Sequence, residues 1–242
     1  MKSIIKTTVL FTFILIFNAC NDNACVSGEG TIITQTLALD SFNKIDASSA
    51  VSIILTQGET QEVTVIGHQN IIDELKTSVS NNTLEIGLEN GCYNDYELAF
   101  EITIPSIASI DISGACDVII NDFEGQTSLE TSISGSGHIE LNDFKGLTNL
   151  DIDISGSGYF EGNKNINTLE NVDISISGSG NYCGYSISST NTTAKVSGSG
   201  TAKISAIDNL DVSISGSGKV YYIGNPVITQ SVSGSGSLIN AN

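Results

Sequence analysis

Residues 150–158 read Leu-Asp-Ile-Asp-Ile-Ser-Gly-Ser-Gly. Three apolar side chains alternate with two carboxylates, which is the period of a strand with one buried face. The Ser-Gly-Ser-Gly string that closes the stretch recurs, starting at Ser134, Ser155, Ser177, Ser197, Ser215 and Ser233. A degenerate copy, Ser-Gly-Ala-Cys, starts at Ser113. The start-to-start steps are 21, 21, 22, 20, 18 and 18 residues. Aligned on the first serine, the preceding residue is Ile112, Ile133, Ile154, Ile176, Val196, Ile214 and Val232, all β-branched. Five residues after that serine stand Val118, Ile139, Phe160, Tyr182, Ala202, Val220 and Leu238. Ten after it, four copies carry Phe123, Phe144, Ile187 and Ile207.

A repeat of two or three short strands cannot bury its apolar side alone, whereas stacked repeats can. The pattern predicts an all-β parallel β-solenoid with about 18–22 residues per coil and Ser-Gly-Ser-Gly at a corner of each. Coils should lie about 4.8 Å apart, with Ile112, Ile133 and Ile154 in one interior ladder. Sharp corners favour glycine because it adopts positive φ without steric cost. A flexible Gly/Ser linker would not be flanked seven times by Ile or Val. Nor does any copy lead into a helix with a following Lys-Ser/Thr, so these are not phosphate loops.

Residues 31–105 have a weaker period. Thr31–Leu37, Val51–Thr56, Glu62–Ile66, Thr83–Leu88 and Glu97–Ile104 read as strands, with one helical turn in Gln69–Leu75. Ala47-Ser48-Ser49-Ala50 reads as a decayed corner. The organisation expected is irregular β-coils over 31–105 and the regular solenoid over 106–242, with 31–242 one continuous domain.

The start of the chain reads as an export signal over residues 1–19. Lys2 and Lys6 precede an apolar run, Val9 to Phe17, that is too short for a bilayer span of roughly 20 helical residues. Phe17 is too bulky for an ordinary cleavage site, while Ala19 directly before Cys20 has the look of a relaxed lipobox. The expectation is a lipoprotein signal peptide, lipidation on Cys20 and a tether over 20–30. Cys25, Cys92, Cys116 and Cys183 remain, with zero, one or two disulfides open to them.

Composition removes several functions. Lysines number 9, there is no arginine, and 27 acidic residues bring the net charge to −18. No basic face for nucleic acid can be assembled. His68 and His138 have no ligand spacing and there is no Cys-x-x-Cys, so no metal site, cofactor site or catalytic set is expected. Two outward columns are acidic, one holding Glu130, Asp151 and Asp173, the other Asp111 and Asp153. Stacked like charges read mainly as a solvated face. Calcium held between stacked carboxylates is the rival reading of the same columns. Tyr159, Tyr182, Tyr185, Tyr221 and Tyr222 cluster after corners, as core residues or as an exposed strip for sugar or protein contact.

The Asp153–Gly158 string, the segment Gln69–Leu88 and the closing Tyr221–Leu238 resemble the auto-transporter adhesin head GIN domain family, over about Phe42 to Leu238. The departures are Ala115-Cys116 in one corner and Ala47–Ala50 in another. The resemblance implies a right-handed β-helix, a cell-envelope location and no catalytic motif. The expected function is a non-catalytic, lipid-anchored binding scaffold of the bacterial cell envelope, at the outer membrane and either periplasmic or surface-exposed. Its expected partners are the membrane through its lipid and a glycan or protein ligand. The alternatives are an envelope structural or stress-response protein without extracellular ligand and, less favoured, a carbohydrate-active β-helix enzyme.

Overall fold

The computed structural model describes residues 25–163 and 166–242. Cys20, the segment 1–19 and Lys164 lie outside the described residues. Within them the chain is a parallel β-solenoid with three ladders. One face stacks the strands before each corner: Ser109–Ile112 on Lys44–Ala47, then Ser128–Ile133, Asn149–Ile154, and the stretches 171–178, 191–198, 209–216 and 227–234. A second face stacks the strands after each corner, from Ser52–Gln57 through Asp117–Asn121 and His138–Leu141 to Ser237–Asn240. A short third ladder begins where Phe123–Glu124 pairs with Phe144–Lys145.

The interior columns follow the repeat. Ile112, Ile133, Ile154, Ile176, Val196 and Ile214 are in register from rung to rung and essentially inaccessible. Val118, Ile139, Phe160, Tyr182, Ala202 and Val220 form the second buried column. The rings of Phe123 and Phe144 stack at 5.5 Å, and those of Phe160 and Tyr182 at 5.7 Å. In the third column Ile207 does not take part. It is exposed, and the register there shifts so that Ala206 pairs with Ser189. Ile166, in register with Ile187, supplies an inward residue that the ten-residue offset missed.

Glycine is required at the corners for a different reason from the one expected. Gly137 and Gly158 do not have left-handed φ. A Cβ on Gly158 would fall well under 3.0 Å from the Ile133 side chain one coil below, and one on Gly156 would strike the carbonyl of Gly135. Each corner therefore needs glycine because the next coil lies directly against it. Positive φ is added only from Gly178 onward, at the first glycine of the later corners.

The order of coils in space differs from their order in the chain. Lys44–Ala47 and Ser52–Gln57 make the first coil, yet Thr83–Leu88 and Leu98–Ile104 stack on its far side. The chain then crosses back through Pro105–Ala108, and the third coil lands on the first. The coil nearest the start is thus sandwiched and the second becomes the outer one. That outer coil is closed by antiparallel strands: Leu75–Ser80 on Thr83–Leu88, Glu62–His68 on Leu98–Ile104, and Ile32–Thr36 on Glu62–His68. The strands Lys44–Ala47 and Leu75–Ser80 were not legible in the sequence, and the helical turn is confined to Gln69–Ile72. No helix among the described residues is long and apolar enough to cross a membrane.

Of the segment expected to be a free tether, residues from Cys25 onward are docked. Cys25 is disulfide-bonded to Cys92, and Val26–Ser27 pairs in parallel with Tyr93–Asn94. The sequence could not choose this pairing because its partners are 67 residues apart.

Gly158→Val should destabilise the fold by roughly 1–3 kcal/mol, since a branched side chain must be forced between two coils. Asp151→Asn, on the outward face, should be neutral or slightly stabilising. Chemical denaturation of the two variants checks this, and equal small effects would refute the stacking account.

Candidate functional site

The alternation that buries isoleucine on the first face turns every second side chain outward, and parallel register lines these up. Glu130, Asp151 and Asp173 face one another across successive rungs, and the column continues through Thr193, Asp211 and Thr229. Beside it run Asp46, Asp111, Ser132, Asp153, Ser175 and Lys195. Between and around these side chains lie open troughs. One of about 610 Å³ is bordered by Asp46, Lys76, Glu85 and Asn90. Another of about 470 Å³ is bordered by Lys44, Asp111, Glu130 and Asp153. Asp46 belongs to both, so they form one shallow acidic channel along the first face.

Crowding changes these acids. Partial burial, then the charges of Asp46 and Glu130, raise the Asp111 pKa above the ordinary carboxylate value, against a smaller lowering by Lys44. Partial burial, then Asp173, Glu130 and Asp153, raise that of Asp151, opposed by Lys195. No group of three or more His, Cys, Asp or Glu among the described residues is arranged to hold a metal ion. The carboxylates project side by side from a flat sheet and do not converge on one point.

The second face carries the other polar cluster. The Tyr159 hydroxyl donates to Glu161 Oε2 at 2.9 Å, and His138 Nε2 lies 3.4 Å from Glu161 Oε1. Burial, and then hydrogen bonding to Cys183 and Glu161, raise the Tyr159 phenol pKa. Cys183 is half-buried and in register with Glu161. His138 is in register with Tyr159, so His138 and Cys183 stand on strands two rungs apart, with Tyr159 and Glu161 on the rung between them. Cys116 is buried, and burial pushes its thiol up to about 12. Of the five tyrosines, Tyr182 is core, and Tyr159, Tyr185, Tyr221 and Tyr222 are half-buried. They do not form an exposed aromatic strip.

The sequence reading missed an asparagine ladder at the entry to the first face. Asn171 donates to Asn149 at 2.8 Å, Asn191 to Asn171 at 3.2 Å, and Asn209 to Asn191 at 2.9 Å. The signal was present: each of these asparagines lies six residues before a corner serine. Stacked amides satisfy one another across coils and hold the register.

Comparison with known proteins places this geometry. The family model described as "Putative auto-transporter adhesin, head GIN domain" matches residues 41–226. A solved structure described as a "putative adhesin" from Bacteroides fragilis is 23% identical, with a TM-score of 0.79, covering 89% of this chain and 99% of that one. One described as a "putative lipid binding protein" from Parabacteroides distasonis is 21% identical, with a TM-score of 0.74 and coverage of 90% and 99%. A third, a "putative adhesin" from Parabacteroides merdae, is 20% identical, with a TM-score of 0.66 and coverage of 90% and 99%. At these identities the likeness is one of fold. No curated protein matches the chain.

The raised carboxylates predict an unusual pH response. An acid whose pKa is higher folded than unfolded keeps its proton longer in the native state. Its stabilising contribution is therefore present at low pH and is lost as pH rises through the folded-state pKa. Mild acidification from neutral pH should raise the melting temperature, and Asp151→Asn should blunt the rise. Thermal denaturation across the carboxylate range checks this, and a steady fall of stability with acid would refute it. Thiol labelling of the native protein should modify Cys183 and leave Cys116 untouched until unfolding.

Proposed function

The chain belongs to the auto-transporter adhesin head GIN domain family, and on that premise we propose that it is a non-catalytic binding scaffold of the bacterial cell envelope. The observation that carries the reading is the first face: a long, rigid, repeated acidic channel, open to solvent along its length. Such a surface suits weak contacts made many times over better than tight capture of one small molecule. Its charge favours neutral glycans or basic protein patches and disfavours anionic membranes.

The reading includes export and anchoring. Residues 1–19 act as a lipoprotein signal peptide, and the mature chain begins at Cys20, which carries the lipid. Only Asn21 to Ala24 then separate the lipid from the Cys25–Cys92 disulfide, so the rod stands on a short leash. The reading places the anchored protein at the outer membrane, facing either the periplasm or the surface. A neighbour is described as lipid binding. Here the interior is filled by Phe123, Phe144, Phe160 and Tyr182, so a lipid ligand would have to lie on the outer faces.

Cys20→Ser should move the protein from the membrane fraction to the soluble one, because stable anchoring needs the lipid. Beads coated with residues 20–242 should adhere to a glycan or protein surface more strongly than beads coated with a charge-matched control. Reversal of Asp111 and Asp151 to lysine should abolish that adherence while leaving the fold intact. Beads that bind nothing above the control, together with intact cells that shield the protein from protease, would favour the internal envelope role.

A further inference from the structure

The two ends of the stack are built differently. The outer coil near the start is closed by antiparallel strands and stapled by the Cys25–Cys92 disulfide. At the other end the last rung is Val227–Gly234 on the first face and Ser237–Asn240 on the second. Neither has a further strand beyond it among the described residues. The interior columns run out here into solvent. Val232, which continues the Ile214 ladder, is 43% exposed, and Ile228, which continues that of Leu210, is 36% exposed.

The backbone of this rung also points outward. Corner serines donate back to the preceding coil, Ser134 to Ile112 at 2.8 Å and Ser155 to Ile133 at 2.9 Å. Peptide direction alternates along a strand. In Val227–Gly234 the amides and carbonyls of Ile228, Gln230 and Val232 therefore face away from the stack, unpaired. Natural edge strands are normally blunted by charge, proline or a covering segment. This one holds no charged residue and no proline.

Charge is distributed to match. The chain carries −18 overall, yet residues 212–242 contain a single charged side chain, Lys219. The repulsion that keeps two copies apart is therefore weakest at the open end. We propose that this end is a homotypic docking surface, on which a second copy of the chain seats tip to tip, with Val227–Gly234 of each pairing antiparallel about a two-fold axis. An extended peptide would cover one strand, whereas a second tip brings an equally neutral, equally apolar cross-section that covers both faces. The docked Cys25 ends then lie at the two outer poles. With the anchor of the proposed function, on which this consequence rests, the pair would bridge facing cells.

The test uses residues 20–242 with Cys20→Ser, which contain every described residue. Sedimentation velocity over a concentration series should show a reversible dimer, and small-angle scattering should show about twice the monomer's length. Ser231→Lys, in the outward column with Ser213, places two like charges face to face across the axis. Gln230→Pro removes one outward amide that has no partner within the chain. Each should weaken the dimer by about tenfold or more at an unchanged melting temperature. A chain that stays monomeric into the millimolar range overturns the proposal and leaves the edge to an extended-peptide partner. A dimer that is no longer than the monomer, or is indifferent to both substitutions, overturns it in favour of another face. Anchoring plays no part in these readings, so tip pairing and the Cys20 anchor stand or fall separately.

Discussion

Everything in this molecule depends on the separation of one coil from the next at the corners. Parallel strands stack about 4.8 Å apart, and at that distance there is no room for a Cβ between Gly158 and Ile133, or between Gly156 and the carbonyl of Gly135. The glycines let the coils close to hydrogen-bonding distance. That closeness lets Ile112, Ile133, Ile154 and Ile176 form a continuous dry ladder. It also forces the outward residues into columns, so the acidic channel results from the same constraint that builds the core.

The consequences for function follow from this coupling. A carboxylate in a strand of a solenoid cannot move away from the one above it, because both are fixed by the register of the isoleucines between them. Asp111 and Asp151 therefore hold raised pKa values through partial burial and through neighbours they cannot escape. An array of this kind presents one chemical character repeated along a line. Its carboxylates stand side by side along that line and do not converge on a single point. On the second face the same register sets His138 and Cys183 two rungs apart, with Tyr159 and Glu161 on the rung between them.

A stack also has two ends, and these are where a solenoid departs from its repeat. The start of the chain spends its irregular segments on closure: the strands Ile32–Thr36, Glu62–His68 and Leu75–Ser80 run against the parallel direction and occupy the open edges of the outer coil. Among the described residues the last rung has no such cover, and its composition, with no acidic residue after Asp211, sets it apart from the rest of the chain.

Much of this was legible in the sequence, because a repeat writes its own contacts. Residues that touch across coils are about twenty positions apart in every copy. Aligning the copies therefore recovered the Ile112 and Val118 columns and the stacking of Glu130, Asp151 and Asp173, residue for residue. The asparagine ladder was equally legible, through Asn149, Asn171, Asn191 and Asn209, and was overlooked. Where the period fails, so does the reading. The sandwiching of the first coil by the second and third, the pairing of Cys25 with Cys92 and the strand Lys44–Ala47 depend on which segment finally lies beside which. Ile207 shows the limit within the repeat itself, since the register shifts between neighbouring coils on either side of Ser189 leave it exposed. Local alternation fixes which side of a strand is apolar. Only the closed tertiary stack, in which each edge must find a hydrogen-bonding partner, decides the order of the coils and the faces left open for binding.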